Sequence, residues 1–145
     1  MYGVIDRRSH GVVLEERLGQ AYDEQAFRYF MEIERRRAAR AHRPVLLLLL
    51  AAKEPLATSA NMDPGLAAKL FSGLWRCLRE TDVVGWYREA RVPGAILTQV
   101  EDGLRPEATR EIRQRVNRAL CEGLSEDVAR RVWVRVYQLG PGLKG

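Results

Sequence analysis

Cysteine and histidine are scarce, with two of each in a chain of 145 residues. Cys77 and Cys121 lie far apart and have no metal-ligand spacing. Each falls on or beside the apolar stripe of a predicted helix, so both are expected as buried free thiols rather than a disulfide. His10 and His42 stand alone, and neither Ser9 nor Ser59 has the other members of a nucleophilic triad nearby in the pattern. Long apolar runs are missing as well. The longest, Val45 to Ala52, falls well short of the roughly 20 residues that span a bilayer. No signal peptide is recognisable, because Asp6, Arg7, Arg8 and His10 interrupt the N-terminus before an apolar region can form. A cytoplasmic location is therefore expected. What the chain does have is arginine, which supplies most of a net charge of +5. The planar guanidinium pairs with phosphates bidentately, so the excess permits nucleotide, nucleic-acid or acidic-protein partners.

The hydrophobic pattern predicts an extended arm over residues 1–20 and one domain over 21–145, a length that fits a single core. A helix is expected from Ala21 to His42, with Phe27, Phe30 or Met31 on its apolar face and arginines crowding its last turns. Pro44 stops it. The unalternating Val45–Ala52 run reads as a central strand buried on both faces. Asp63 before Pro64 is a helix N-cap, and Leu66, Leu70, Leu74, Cys77 and Leu78 share one side of the helix that follows. Val83–Tyr87 and Ala95–Val100 read as a hairpin whose turn holds Pro93 and Gly94. A further helix is expected from Arg105 to Leu124, and a half-exposed strand from Val132 to Leu139. After the first helix the order is strand, helix, strand, strand, helix, strand. This is an α+β, ferredoxin-like βαββαβ arrangement, an antiparallel sheet with helices on one face. Trp75 is expected in the core. Trp86 and Trp133 alternate with apolar neighbours and fit either a partner surface or half-buried packing.

One segment carries more than pattern. Arg79 and Asp82 form an Arg-x-x-Asp pair, five residues follow from Val83 to Tyr87, and then comes Arg88-Glu89-Ala90-Arg91-Val92. This spacing resembles the GGDEF domain, the diguanylate cyclase module of bacteria. In that family an inhibitory Arg-x-x-Asp site precedes the Gly-Gly-Asp-Glu-Phe signature by five residues. The likeness covers roughly Asp23 to Leu139 and rests on spacing and hydrophobic pattern more than on identity. It implies a degenerate member, truncated before the family's C-terminal helix. The family's first strand ends Asp-x-Asp, which holds magnesium, whereas here Ala51-Ala52-Lys53 stand in its place. Neither alanine nor a lysine ammonium can ligate a hard cation that demands oxygen donors. In the signature, Arg88 and Glu89 replace the glycines that admit the nucleotide, while Ala90 and Arg91 replace the carboxylates. The resemblance therefore implies no cyclase activity, no metal and no resident cofactor.

What it does imply is a binding role. Arg79 and Asp82 would form an inhibitory-type site for cyclic di-GMP, with Arg110 or Arg113 of the following helix assisting. The expected function is a cyclic di-GMP receptor acting on a protein partner in a bacterial signalling, exopolysaccharide or motility pathway, with a homodimer compatible. The alternative is an interaction or dimerisation module without a nucleotide. A ferredoxin-like sheet with net positive charge also fits RNA binding, but the strands carry no aromatic RNP-type motif. The bland reading of Arg79 and Asp82 is a helix end closed by an ordinary surface pair.

Overall fold

The computed structural model describes residues 21–52, 61–79, 81–98 and 106–139. The elements are α1 (Glu24–Ala41), β1 (Val45–Ala52), α2 (Pro64–Cys77), β2 (Val83–Arg88), β3 (Val92–Leu97), α3 (Pro106–Gly123), the single turn α4 (Glu126–Ala129) and β4 (Val132–Leu139). The expected arm over residues 1–20 lies outside the described residues.

The strands form one antiparallel sheet in the order β2-β3-β1-β4. That is the order a βαββαβ chain takes when its helices share a face. β1 is buried on both sides. Leu46, Leu48 and Leu50 face a core built with Leu70, Phe71 and Leu74 of α2 and with Val116 and Leu120 of α3. Val45 and Leu47 face a smaller core on the other side, where Phe27 and Ala38 of α1 pack over Ile96. The first helix thus closes the face that α2 and α3 leave open, which explains why β1 shows no alternation. Each fully buried leucine contributes about 1.5–3 kcal/mol relative to exposure.

Local chemistry sets the helix ends. Asp23 caps α1 by accepting from the Ala26 amide at 2.8 Å, and Asp63 caps α2 by accepting from Leu66 at 3.0 Å. α1 ends with His42 in the left-handed region at φ 55°, while the Arg43 amide donates back to the Ala38 carbonyl at 2.9 Å. The helix therefore begins at Glu24 rather than Ala21. The residues ahead of it run along the free edge of β2 as a strap. Tyr22 bridges Gly85 in parallel, its amide donating to the Val84 carbonyl at 3.1 Å and its carbonyl accepting from Trp86 at 2.9 Å.

Four expectations need correction. The β2–β3 turn is Glu89–Arg91, and Pro93 and Gly94 lie inside β3. A register shift between Trp86 and Arg88 breaks the ladder beside Pro93, so the missing amide is tolerated there. Trp86 is core, 4% exposed, with its ring edge-on to Phe71 at 5.0 Å. Trp133 remains 43% exposed, and Trp75 is half-buried against Phe71. Both thiols are free, but Cys121 is exposed because it sits about 100° around α3 from the buried Leu120. Only Cys77 is partly buried, and burial pushes its thiol pKa up.

The hairpin tip is held from two directions. Glu24 and Glu89 exchange bonds: the Glu89 amide donates to a Glu24 carboxylate oxygen at 2.7 Å, and the Glu24 amide donates to Glu89 at 2.9 Å. Arg28 pairs with Glu24 at 3.1 Å and lies over the Tyr87 ring. From the other side the Met62 amide donates to the Ala90 carbonyl at 2.8 Å. The backbone bond from Glu89, followed by Arg28, lowers the Glu24 pKa.

Two consequences are measurable. A Cβ built at Gly85 comes within 2.6 Å of the Tyr22 carbonyl oxygen. Gly85→Ala should therefore destabilise the protein by about 1–3 kcal/mol in urea unfolding, an overpacking cost. Because its folded pKa is depressed, Glu24 contributes stability at neutral pH that fades as pH falls below the ordinary glutamate value of about 4.3. The melting-temperature gap between wild type and Glu24→Gln should shrink from pH 7 to pH 3, and a constant gap would remove the charge from the latch.

Candidate functional site

Two ends of the sheet carry the residues singled out in the sequence. At one end is the signature turn. Arg88 closes β2 and lies over the Tyr87 ring at 5.6 Å. Glu89 is engaged with Glu24, and Ala90 sits at φ 62°. A left-handed alanine costs about 1–2 kcal/mol, so this turn keeps a glycine-type backbone without the glycine. The Arg91 amide closes the turn onto the Arg88 carbonyl at 2.9 Å, and Val92 pairs with Arg88. Continuing the β1–β3 register from Leu49 opposite Gly94 brings Ala51 opposite Val92. Ala51, Ala90 and Arg91 therefore share one end of the sheet, and none carries an anionic oxygen. Lys53 lies outside the described residues. Among the described residues no cluster of three His, Cys, Asp or Glu side chains could hold a metal ion.

The opposite end holds Arg79 and Asp82. Arg79 follows α2, and its backbone amide donates to one Asp82 carboxylate oxygen at 2.9 Å while the Asp82 amide returns a bond to the Arg79 carbonyl at 3.0 Å. The other Asp82 oxygen accepts from the Thr98 amide at 3.2 Å, and the Thr98 hydroxyl donates to the Thr81 carbonyl at 3.4 Å. Asp82 thus ties the start of β2 to the end of β3. Burial pushes its carboxyl pKa up, against the opposing pull of the Arg79 and Thr98 amides and the charges of Arg79 and Arg115. Each oxygen has one backbone donor, and a carboxylate offers about four lone-pair positions, so accepting capacity remains.

The sequence reading looked to Arg110 or Arg113 for a second arginine. Both are exposed on α3, as is Arg115. The α3 arginine whose charge acts on Asp82, and on Cys77 beside it, is Arg115. Helical spacing does not single it out, because Arg113 and Arg115 flank the buried stripe of Ile112, Val116 and Leu120 on opposite sides; only the packing of Ala119 against Gly73 and Arg76 tells which flank faces α2.

On the other side of the Asp82–Thr98 tie opens a cleft of about 620 Å³. Ala38, Ala41, Pro44 and Val45 make its apolar floor, Thr81 and Thr98 line one wall, and Arg37, Arg43 and Glu34 provide charge. Arg37 pairs with Glu34 at 3.3 Å with its side chain 70% exposed, an arrangement of little energetic weight that an anion can displace. In the sequence these α1 arginines read only as charge at the helix C-terminus. Nothing in the spacing alone brings residue 37 to residues 81 and 98, because the sheet register does so. The cleft therefore presents Arg37 and Arg43 beside Thr81 and Thr98, and Thr98 is tied to the Asp82 carboxylate, on which the charges of Arg79 and Arg115 act. Chemically this suits a flat, dianionic ligand with hydrogen-bonding edges.

No protein-family model and no curated protein matches the chain. Solved structures do. The chain is similar to the isolated GGDEF domain of TpbB (YfiN) from Pseudomonas aeruginosa at 13% identity and TM-score 0.57, over 82% of this chain and 70% of that one. It is similar to the diguanylate cyclase SiaD of Pseudomonas aeruginosa, solved with its activator SiaC, at 14% identity and TM-score 0.59 over 81% of this chain. There it spans only 46% of the longer protein. It is also similar to the GGDEF domain of DgcB from Caulobacter crescentus, solved with cyclic di-GMP, at 13% identity and TM-score 0.53, over 90% of this chain and 81% of that one. Identities this low speak for architecture alone. On that evidence the chain has the fold of the GGDEF domains.

Proposed function

We propose that this domain binds cyclic di-GMP at the Arg79–Asp82 end of the sheet and does not synthesise it. The observation that carries this reading is the joining of the Asp82 carboxylate to Thr98, which lines a cleft together with Arg37 and Arg43. Cyclic di-GMP offers two phosphates for guanidinium forks and guanine edges for a carboxylate acceptor. Arg79 and Asp82 are the core of the site. Arg115 takes the assisting place first sought at Arg110 or Arg113, and Arg37 reaches the ligand from α1. The DgcB domain bound to this ligand supports the ligand class, and SiaD bound to SiaC supports a protein partner for the liganded domain.

The reading that synthesis is absent rests on the other end. Two-metal phosphoryl transfer needs carboxylates to hold magnesium. Ala51 offers no donor, and Arg91 is a cation where the family's signature has an acid. The turn is also engaged by Glu24, whose carboxylate occupies the Glu89 amide. The residues present do not fit the metal.

A second reading has its own observation. Trp133 and Tyr137 are 43% and 44% exposed on β4, with Arg135 over the Trp133 ring at 5.3 Å. Tryptophan, tyrosine and arginine are the residues enriched at protein interfaces, so this face supports a protein-interaction module.

Isothermal titration separates the two. Wild type should bind cyclic di-GMP. Arg79→Ala, Arg115→Ala and Arg37→Ala should each weaken binding by about 10-fold or more, the worth of a hydrogen bond to a charged group. Arg110→Ala should leave it unchanged. Absence of heat from wild type at tens of micromolar ligand would reject the receptor and favour the interaction module.

A further inference from the structure

α1 joins the two ends of the sheet. Its 18 residues span about 27 Å, from the Glu24–Glu89 latch at the signature turn to Arg37, Ala38 and Ala41 at the cleft. No proline or glycine interrupts it, so it has none of the usual causes of a kink. Phe27 and Ala38 fix it to the sheet near its two ends, 0% and 7% exposed. The chain ahead of it is strapped to the β2 edge through Tyr22.

We propose that α1 is a rigid coupler, so that a ligand seated in the cleft tightens the Tyr22 strap and the Glu24–Glu89 latch at the far end of the sheet. The inference rests on the reading that cyclic di-GMP occupies this cleft. Such a ligand touches α1 through Arg37 and the sheet through Thr81 and Thr98, so it binds only when α1 is seated. It then opposes every opening that lifts the helix, including those that release the strap. Coupling of this kind is reciprocal, so a condition that loosens the strap must also weaken the ligand. The device would let an event at the cleft be read by whatever the chain carries ahead of Ala21, without movement inside the sheet.

The test is residue-resolved amide exchange on the full chain, with titration calorimetry on the same samples. At ligand about 100-fold above its dissociation constant, exchange through openings that unseat α1 should slow by about 100-fold. The amides to follow are Tyr22 and Trp86, which bond across the strap, with the β1–β4 ladder as internal reference. Glu89→Ala, which breaks the latch at an exposed turn, should speed exchange at both amides without ligand. Cyclic di-GMP should restore their protection more than that of the reference ladder. Ligand that binds by calorimetry yet leaves the strap amides of Glu89→Ala as fast as before would overturn the coupling and spare the site. No binding heat from wild type would overturn the site and the coupling together.

Discussion

Two glycines facing each other across β2 and β3 decide where α1 can lie. Gly85 and Gly94 are paired partners, and both open on the side of the sheet that α1 covers. At Gly85 a side chain would meet the Tyr22 backbone, and at Gly94 it would come within 3.3 Å of the Phe27 ring. Removing two side chains lets the strap reach the edge of β2 and lets Phe27 reach the sheet. From that seat follow the second core, the latch on the hairpin turn and the closing of the cleft by the far half of α1. It also leaves β4 uncovered by α1, which is where Trp133 and Tyr137 stand exposed.

Much of this was legible in the chain. The uniform leucine run required a strand buried on both faces, and it has one core on each side. Asp63 before Pro64 marked a helix start, and the alternation of Val132 and Val134 with Trp133 and Arg135 gave the inward and outward faces of β4. What was not legible came from contacts distant in sequence. Pro93 and Gly94 look like turn residues, yet they are strand residues because a bulge and an approaching phenylalanine need them there. Trp86 looked free to face solvent until Phe71 met it from a helix. For the site, the local half was readable, since Arg79 and Asp82 lie three residues apart. Arg37 was not, because only the fold brings it beside Thr81 and Thr98.

The two ends of the sheet differ in what they present. At the β2–β3 turn the Glu89 amide is taken by Glu24. At the other end, a half-buried acceptor is tied to Thr98 beside a cleft that Arg37 and Arg43 line. The two Asp82 oxygens accept from two different amides, those of Arg79 and Thr98, which a side chain with one acceptor oxygen could not do. α1 reaches both ends from outside the sheet, through Glu24 at the turn and Arg37 at the cleft.

The most direct measurement is a map of backbone amide shifts as cyclic di-GMP is added. The account predicts that the largest changes fall at Arg37, Thr81, Asp82 and Thr98, with smaller ones reaching Tyr22 and Glu89 along α1. Changes centred on Arg88 to Val92 would contradict it by putting the ligand at the signature turn, and an unchanged spectrum would deny the site altogether.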